Sequence, residues 1–426
     1  MNEPISVPET GPRRRDYWAW ASLDFANSGY TTVVITAVFN AYFVSVILGG
    51  ASHATLAWTV VLSVSYLLVL LSAPLLGAYA DAHAAKKQVL WWATAVCVLG
   101  TLGLAAAGPG DWSLAAVLLV VSNLAYATHQ NLSAGFLREI AIEGSLGKWS
   151  GLGWAWGYLG GLLTLLLALV WVQTPGLTAA AQVGGALVLT AAVFALVGSI
   201  ALSQLRERSP PTRVQWRHAW HRLWSDLRGL REETGLIRFL MCVVVYQAGV
   251  AAVIGLAAVY AQAVMGFDLS QTILLVLVVN ITASLGAAGF AFFHDRLGHR
   301  NSLALSLLLW LAMVGVASTG SSVASFWLAA NLAGLAMGSS QSGARAAVAS
   351  LAPKESQAEA FGAWGVAVHL ASILGPLVYG MVTWLTDNDH RLAILSVGVF
   401  FLLGLMLLFR VPFHADIRNA RNEGQC

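Results

Sequence analysis

Charge is what this sequence has least of. Aspartate, glutamate, lysine and arginine together make up 10% of its 426 residues, and hydrophobic residues 58%, whereas an average soluble domain is roughly a quarter charged. A chain so poor in charge cannot coat a water-soluble fold. Its formal net charge of +3 is too small to suggest a nucleic-acid partner. Cysteine is nearly absent: Cys97 and Cys242 lie in apolar runs and Cys426 is the last residue, so neither a disulfide framework nor metal-ligand spacing is present. No G-x-x-x-x-G-K-[ST] phosphate loop occurs and no nucleophile-and-base constellation stands out, which speaks against ATP hydrolysis and against an enzyme, and no cofactor is expected. Ten-residue alternating segments are missing as well, which leaves helices as the only way to span a bilayer.

Long apolar runs are there instead, of about 20 to 25 residues, enough to cross a hydrocarbon core of roughly 30 Å at about 1.5 Å per helical residue. Twelve spans are expected, over 24–48, 56–80, 88–107, 113–137, 151–172, 181–203, 236–264, 270–293, 301–319, 322–344, 359–384 and 391–411. The first fifteen residues are polar and end in Arg13-Arg14-Arg15, which reads as a cytoplasmic tail rather than a cleavable signal. With the N-terminus inside, every one of the 23 Lys and Arg except Arg391 falls on the cytoplasmic side, the asymmetry that sets orientation. The longest loop separates two halves, 1–203 and 236–426. Within this 204–235 linker, Trp216, Trp220, Leu223, Trp224, Leu227 and Leu230 fall at helical spacing opposite Arg213, Arg217, Arg222, Arg228 and Arg231. Such a helix lies at the membrane surface against lipid, as a strap between halves or as a regulatory element.

The halves repeat each other. Asn123-Leu124-Ala125 with Gly135 ten residues later returns as Asn331-Leu332-Ala333 with Gly343. "GAYADAHAAKK", with Asp81, returns as "HDRLGHR", with Asp295, and "SGLGWAWGYLGG" matches "FGAWGVAVHLASILGPLVYG" as a glycine-rich helix. An acid followed by a basic cluster after the second helix of each half resembles the signature of the major facilitator superfamily. The stretches "DFANSGY" from Asp24, "NLSAGFLREIA" leading into "GYLGG", and "AEAFGAWGVAVHLASILGPLVYG" are similar to its vacuole effluxer family, the autophagy-related amino-acid effluxers and their bacterial relatives. The resemblance implies an all-α membrane protein of twelve transmembrane helices in two pseudo-symmetric six-helix bundles. It also implies a monomeric secondary transporter of amino acids or related metabolites, exporting them by alternating access. The compact loops resemble bacterial members, hence an inner-membrane location. A proton-coupled effluxer of amphipathic compounds and a non-transporting receptor or scaffold remain open as alternatives.

Polar residues inside the spans are the candidate site, because an intramembrane polar group must face a partner or water. Asp24, Asn27, Ser28 and Thr31 fall at i, i+3, i+4 and i+7, one helical face. With Tyr17, Trp18 and Trp20 read as the interfacial belt, Asp24 is either an N-cap of the first span, a site for a proton or a substrate ammonium, or the partner of a cytoplasmic arginine. Asn123, Tyr126 and Gln130, flanked by His129 and Asn131, mark the fourth span, either as helix-to-helix glue or as solute contacts. Asn331, Gly338, Ser342 and Arg345 share a face of the tenth; Tyr246, Gln247 and Asn280 are further candidates, and His369 is read as packed rather than as a proton relay. Asp81 and Asp295 read as gates, or else as solvated loop charges, with Arg138, Arg296 and Arg345 as the gating cations. By resemblance, spans one, four, seven and ten line the cavity.

Overall fold

The structure, a computed structural model, describes residues 14–140, 146–208, 218–230, 234–352 and 357–413. Among these, twelve helices are long and apolar enough to cross a membrane: span 1 (Arg15–Ile47), span 2 (Ala54–His83), span 3 (Lys86–Leu104), span 4 (Trp112–Phe136), span 5 (Ala155–Val172), span 6 (Ala179–Gln204), span 7 (Thr234–Met265), span 8 (Leu269–Phe290), span 9 (Leu297–Thr319), span 10 (Val323–Leu351), span 11 (Glu359–Leu385) and span 12 (His390–Leu408). An even number returns the chain to the side on which it started. That side is called the terminal face here, and the other the opposite face.

Helix starts at the opposite face are fixed by short polar side chains. Thr178, Asp268, Ser322 and Asp389 each accept a hydrogen bond from the backbone N–H three residues on, at the heads of spans 6, 8, 10 and 12. Such caps satisfy N–H groups that an apolar surrounding cannot. At the head of span 9, Gly298 takes φ 72°, a conformation in which a Cβ would be strained, and the helix that runs on from span 8 breaks there.

Glycine sets the packing within each half. Gly160 of span 5 lies against the Phe25 carbonyl of span 1, and Gly375 of span 11 lies against the Ala248 carbonyl of span 7. These are the same contact in two pseudo-symmetric places, and they give physical content to the repeat of glycine-rich helices. In the second half, Gly334 and Gly338 of span 10 press on Val279, Thr282 and Ala283 of span 8 in the same manner. Small residues let backbones approach where dispersion, rather than water exclusion, drives association.

Span 1 is not a regular helix. Tyr30–Ala37 and Phe43–Ile47 are π-helical, with Val38 N–H bonded to Val33 O at 2.9 Å and Leu48 N–H to Phe43 O at 3.0 Å. The sequence explains why. Residues Thr31 to Thr36 are all β-branched, and such side chains crowd the preceding turn. The Thr31 and Thr32 hydroxyls bond back to Ser28 O and Gly29 O at 3.1 to 3.2 Å, a habit that bends helices.

Hydrogen bonds join the halves toward the opposite face. Asn40 Nδ2 donates to Gly255 O at 3.2 Å and Ser63 Oγ to Ile373 O at 3.1 Å, while Gly380 packs on Thr59. At the terminal face the start of the linker is bolted to the first half. The Glu207 carboxylate accepts the Lys86 and Lys87 N–H groups at 2.9 and 3.2 Å, capping span 3, and Arg208 pairs with the buried Asp16 at 2.7 Å. Beyond it a helix runs over Ala219–Gly229 with Trp224 exposed and Leu230 buried; Arg213, Trp216, Arg217 and Arg231 of the expected amphipathic segment lie outside the described residues.

Candidate functional site

Polar residues of spans 1, 4 and 5 gather around one cavity of about 540 Å³ between the halves. Span 1 contributes Asp24, Asn27, Ser28, Thr31, Thr32 and Thr36; span 4 adds Tyr126, Gln130 and Asn131, and span 5 Tyr158. Glycines make the room: a Cβ at Gly157 would stand 3.4 Å from the Asp24 Cβ, and one at Gly153 3.7 Å from its carboxylate oxygen. Exposed Gln130, Asn131 and Ala134, in the last turns of span 4, place the mouth at the terminal face. The far end is aromatic. Tyr260 stacks on Phe326 with ring centres 5.9 Å apart and donates to Ala317 O at 2.6 Å, and the Tyr379 hydroxyl bonds to His390 Nδ1 at 3.0 Å.

Asp24 is inside its helix, not at its start. The helix runs over Arg14–Gly29, so Asp24 lies roughly three turns from the first residue and cannot cap free N–H groups. The N-cap alternative is thereby removed. It arose from reading the aromatics as an interfacial belt, but Tyr17 and Trp20 are 4% exposed. Trp20 Nε1 donates to Ser133 O at 2.7 Å, inside the bundle.

Opposite Asp24 stands Arg345 of span 10, on the other wall, with its guanidinium over the Trp364 ring at 5.5 Å. The two charges attract. Among the described residues the Asp24 carboxylate nonetheless has no ion pair or hydrogen bond, so the pair faces across a gap. Asp24 is the one carboxylate and Arg345 the one guanidinium among the described lining residues; His369 also lines the wall, 6.2 Å from the Tyr66 ring.

Other expected residues are placed elsewhere. Asn123 Nδ2 donates to Ser65 Oγ at 2.5 Å, tying span 4 to span 2. Tyr246 is buried against Gly404 of span 12. Asn331 donates to Trp327 O of its own helix. Gln247 borders a smaller void of about 130 Å³ and bonds to Gln341 at 3.3 Å. Asn280 lines the main cavity. Asp81, in the last turn of span 2, pairs with Lys86 at the head of span 3 at 2.9 Å. The side chains of Arg138, Asp295 and Arg296 lie outside the described residues. On span 10 the cavity face is Ala330, Ala333, Met337, Gln341 and Arg345, one position off the expected stripe of Asn331, Gly338 and Ser342.

Tyr158, Gln341 and Trp364 line the cavity but were not among the expected residues. Gln341 had a signal, since it precedes Arg345 by one helical turn. The wall draws on spans 5, 8, 9, 11 and 12 besides 1, 4, 7 and 10.

A helical bundle in two pseudo-symmetric halves, closed at one face and open at the other around a cavity with a polar stripe on one wall, has the architecture of the major facilitator transporters. The fold superposes with a TM-score of 0.74 on a bacterial homologue of the human lysosomal transporter Spinster, inward-facing and unoccupied, at 13% identity over 94% of this chain and 98% of that one. The chain is a multi-pass membrane transporter of this class and not an enzyme. Residues 146–421 match the family described as vacuole effluxer Atg22 like, and the chain belongs to that family. It is 24% identical to an uncharacterised MFS-type transporter, YxiO of Bacillus subtilis, over 95% of this chain and 97% of the relative. It is 22% identical to autophagy-related protein 22 of Kluyveromyces lactis, over 80% and 75%.

Proposed function

We propose that the chain exports small zwitterionic solutes of the amino-acid class by alternating access, working as a monomer in a bacterial inner membrane with both termini in the cytoplasm. The observation that carries this reading is the Asp24 and Arg345 pair, one charge on each half, facing across the cavity. A carboxylate recognises an ammonium and a guanidinium a carboxylate, the latter in two parallel bonds. A zwitterion between them joins the halves at the mouth, and the rocking that follows exposes it at the other face. The basic residues of the terminal face support the orientation, and the family's description as effluxers supports the direction. The state described is then inward-open and ready to load from the cytoplasm. Gating at this mouth falls to Arg345, with Asp81, Arg138, Asp295 and Arg296 as the flanking loop and helix-end charges.

Counterflow in proteoliposomes tests the reading. Neutral amino acids should exchange above the level of empty vesicles, and Arg345→Gln should lower exchange at least tenfold while the purified protein keeps its thermal transition. Exchange of lipophilic cations but not of amino acids would point to the amphipathic effluxer, and no exchange of either to a receptor or scaffold.

A further inference from the structure

Asn27 is held from behind the cavity wall. Its Nδ2 lies 3.2 Å from Nδ1 of His129 in span 4, and an amide nitrogen has hydrogens to give but no lone pair to offer. The imidazole Nδ1 therefore accepts, and the one N–H of the neutral ring sits on Nε2. That nitrogen has no hydrogen-bond partner among the described residues, and Phe194 of span 6 stands nearly perpendicular to the ring, with centres 5.2 Å apart. An N–H group can rest against an aromatic ring, where a bare lone pair gains nothing. Asn27 is 2% exposed and His129 not at all.

With Nδ2 engaged in this way, the other end of the amide is left for the cavity that Asn27 lines; among the described residues Oδ1 has no partner. The hydroxyls beside it have no hydrogen to spare. Ser28 Oγ donates to Asp24 O at 2.7 Å, and the Thr31 and Thr32 hydroxyls each donate to Ser28 O at 3.1 Å. Only their lone pairs remain for a solute. The Asp24 carboxyl accepts as well, with or without a proton of its own. This stretch of span 1 is a cluster of acceptors, and its complement is a group rich in hydrogens. The cluster is also fixed within the first half. Ser122, Tyr126, His129 and Ser133 follow one another at i, i+4, i+7 and i+11 on a single face of span 4. They meet the Tyr30 hydroxyl, the Tyr30 ring, Asn27 and Trp20 Nε1 in turn.

We infer that His129 is a positioning residue for solute selection: it turns the Asn27 carbonyl into the cavity, and the acceptor cluster so completed favours a solute nitrogen that carries hydrogens over one that is fully methylated. This rests on the reading of the solute as an amino acid, whose ammonium brings N–H donors on every side. A quaternary nitrogen of equal charge brings none. Drawing it up to span 1 takes water from Asn27 Oδ1 and returns no bond. Charge attraction is the same for both solutes, so the acceptors decide, and Asn27 is the acceptor whose direction depends on a second residue.

Phenylalanine and its N,N,N-trimethyl betaine share charge and skeleton, and the apolar far wall, with Trp310, Phe326 and Tyr379, suits the ring of either. Both would be titrated into the purified full chain. Phenylalanine should bind at least about tenfold tighter. Asn27→Leu, which keeps the size of the side chain, and His129→Phe should each bring the two ligands to within about threefold by weakening phenylalanine alone, and the double variant should be no worse than either. His129→Asn, which keeps an acceptor near the Nδ1 position, should retain most of the preference. Nitrogen-15 shifts of the His129 ring should give the Nε2–H tautomer; this is read on the wild type and decides even if His129→Phe does not fold. Equal binding of the two ligands by the wild type, a preference that persists in Asn27→Leu, equal weakening of both ligands in His129→Phe, or an Nδ1–H tautomer, which would turn the amide the other way round, would each overturn the inference and leave the amino-acid reading intact. Binding of neither ligand overturns that reading itself.

Discussion

Amides inside apolar helices serve two ends in this molecule, and single residues tell them apart. Asn123 is spent on Ser65, so Asn123→Ala should cost about 1 kcal/mol, the usual worth of such a bond between membrane helices. Solute affinity should not change; thermal unfolding and ligand titration on the same preparation would read both. The close glycines make a sharper case. Gly375 has no room for a Cβ against Ala248 O, whereas Gly135 has nothing within 4 Å. Gly375→Ala should therefore destabilise by about 1 to 3 kcal/mol through overpacking, and Gly135→Ala should be silent in the same melting assay. Composition and spacing made the polar stripe of span 1 legible, because an i, i+3, i+4, i+7 set needs only the helix period. The depth of Asp24 was not legible, because a tryptophan reads alike in a headgroup layer and in a bundle, and Trp20 does the second. The span 10 stripe missed by one residue because Asn331 could satisfy itself on Trp327 O, a local bond that no hydrophobic pattern reveals.

At the scale of elements, the twelve spans were readable from length and apolarity alone, but the contacts that tie them were not. The bolt between the linker and the first half joins residues far apart in sequence: Glu207 to the head of span 3, and Arg208 to Asp16 at the start of span 1. Asp16 is only 6% exposed, so Arg208→Ala leaves its carboxylate without that partner and should cost about 1 to 3 kcal/mol. Asp16→Asn made in the same background should recover part of the loss, which a double-mutant cycle on melting temperatures would resolve. Additive losses would mean that the bond contributes nothing measurable, as many exposed pairs do.

For the whole molecule, closure at the opposite face rests on a short set of contacts between the halves, with span 2 against span 11 at its centre. A Cβ at Gly380 would lie 3.1 Å from the Thr59 Cβ, just under the separation a disulfide spans. Thr59→Cys with Gly380→Cys, oxidised, should lock that face: counterflow should fall to the vesicle blank, solute should still bind from the terminal face, and a reductant should restore exchange. Persistent exchange in the fully oxidised protein would mean that the face need not open there. The π-helical turns of span 1 give this closure a further meaning. A turn closed five residues back holds one residue more than an α-turn, so span 1 carries the equivalent of an insertion between the Asp24 stripe and Asn40. Removing one residue between Val33 and Ala37 would let the helix regularise and leave Asn40 in phase with Asp24, whereas the same deletion from a regular α-helix would turn it away from Gly255 by about 100°. The phase between site and latch thus withstands a single-codon deletion there, because the π-turn already holds the residue that would be lost.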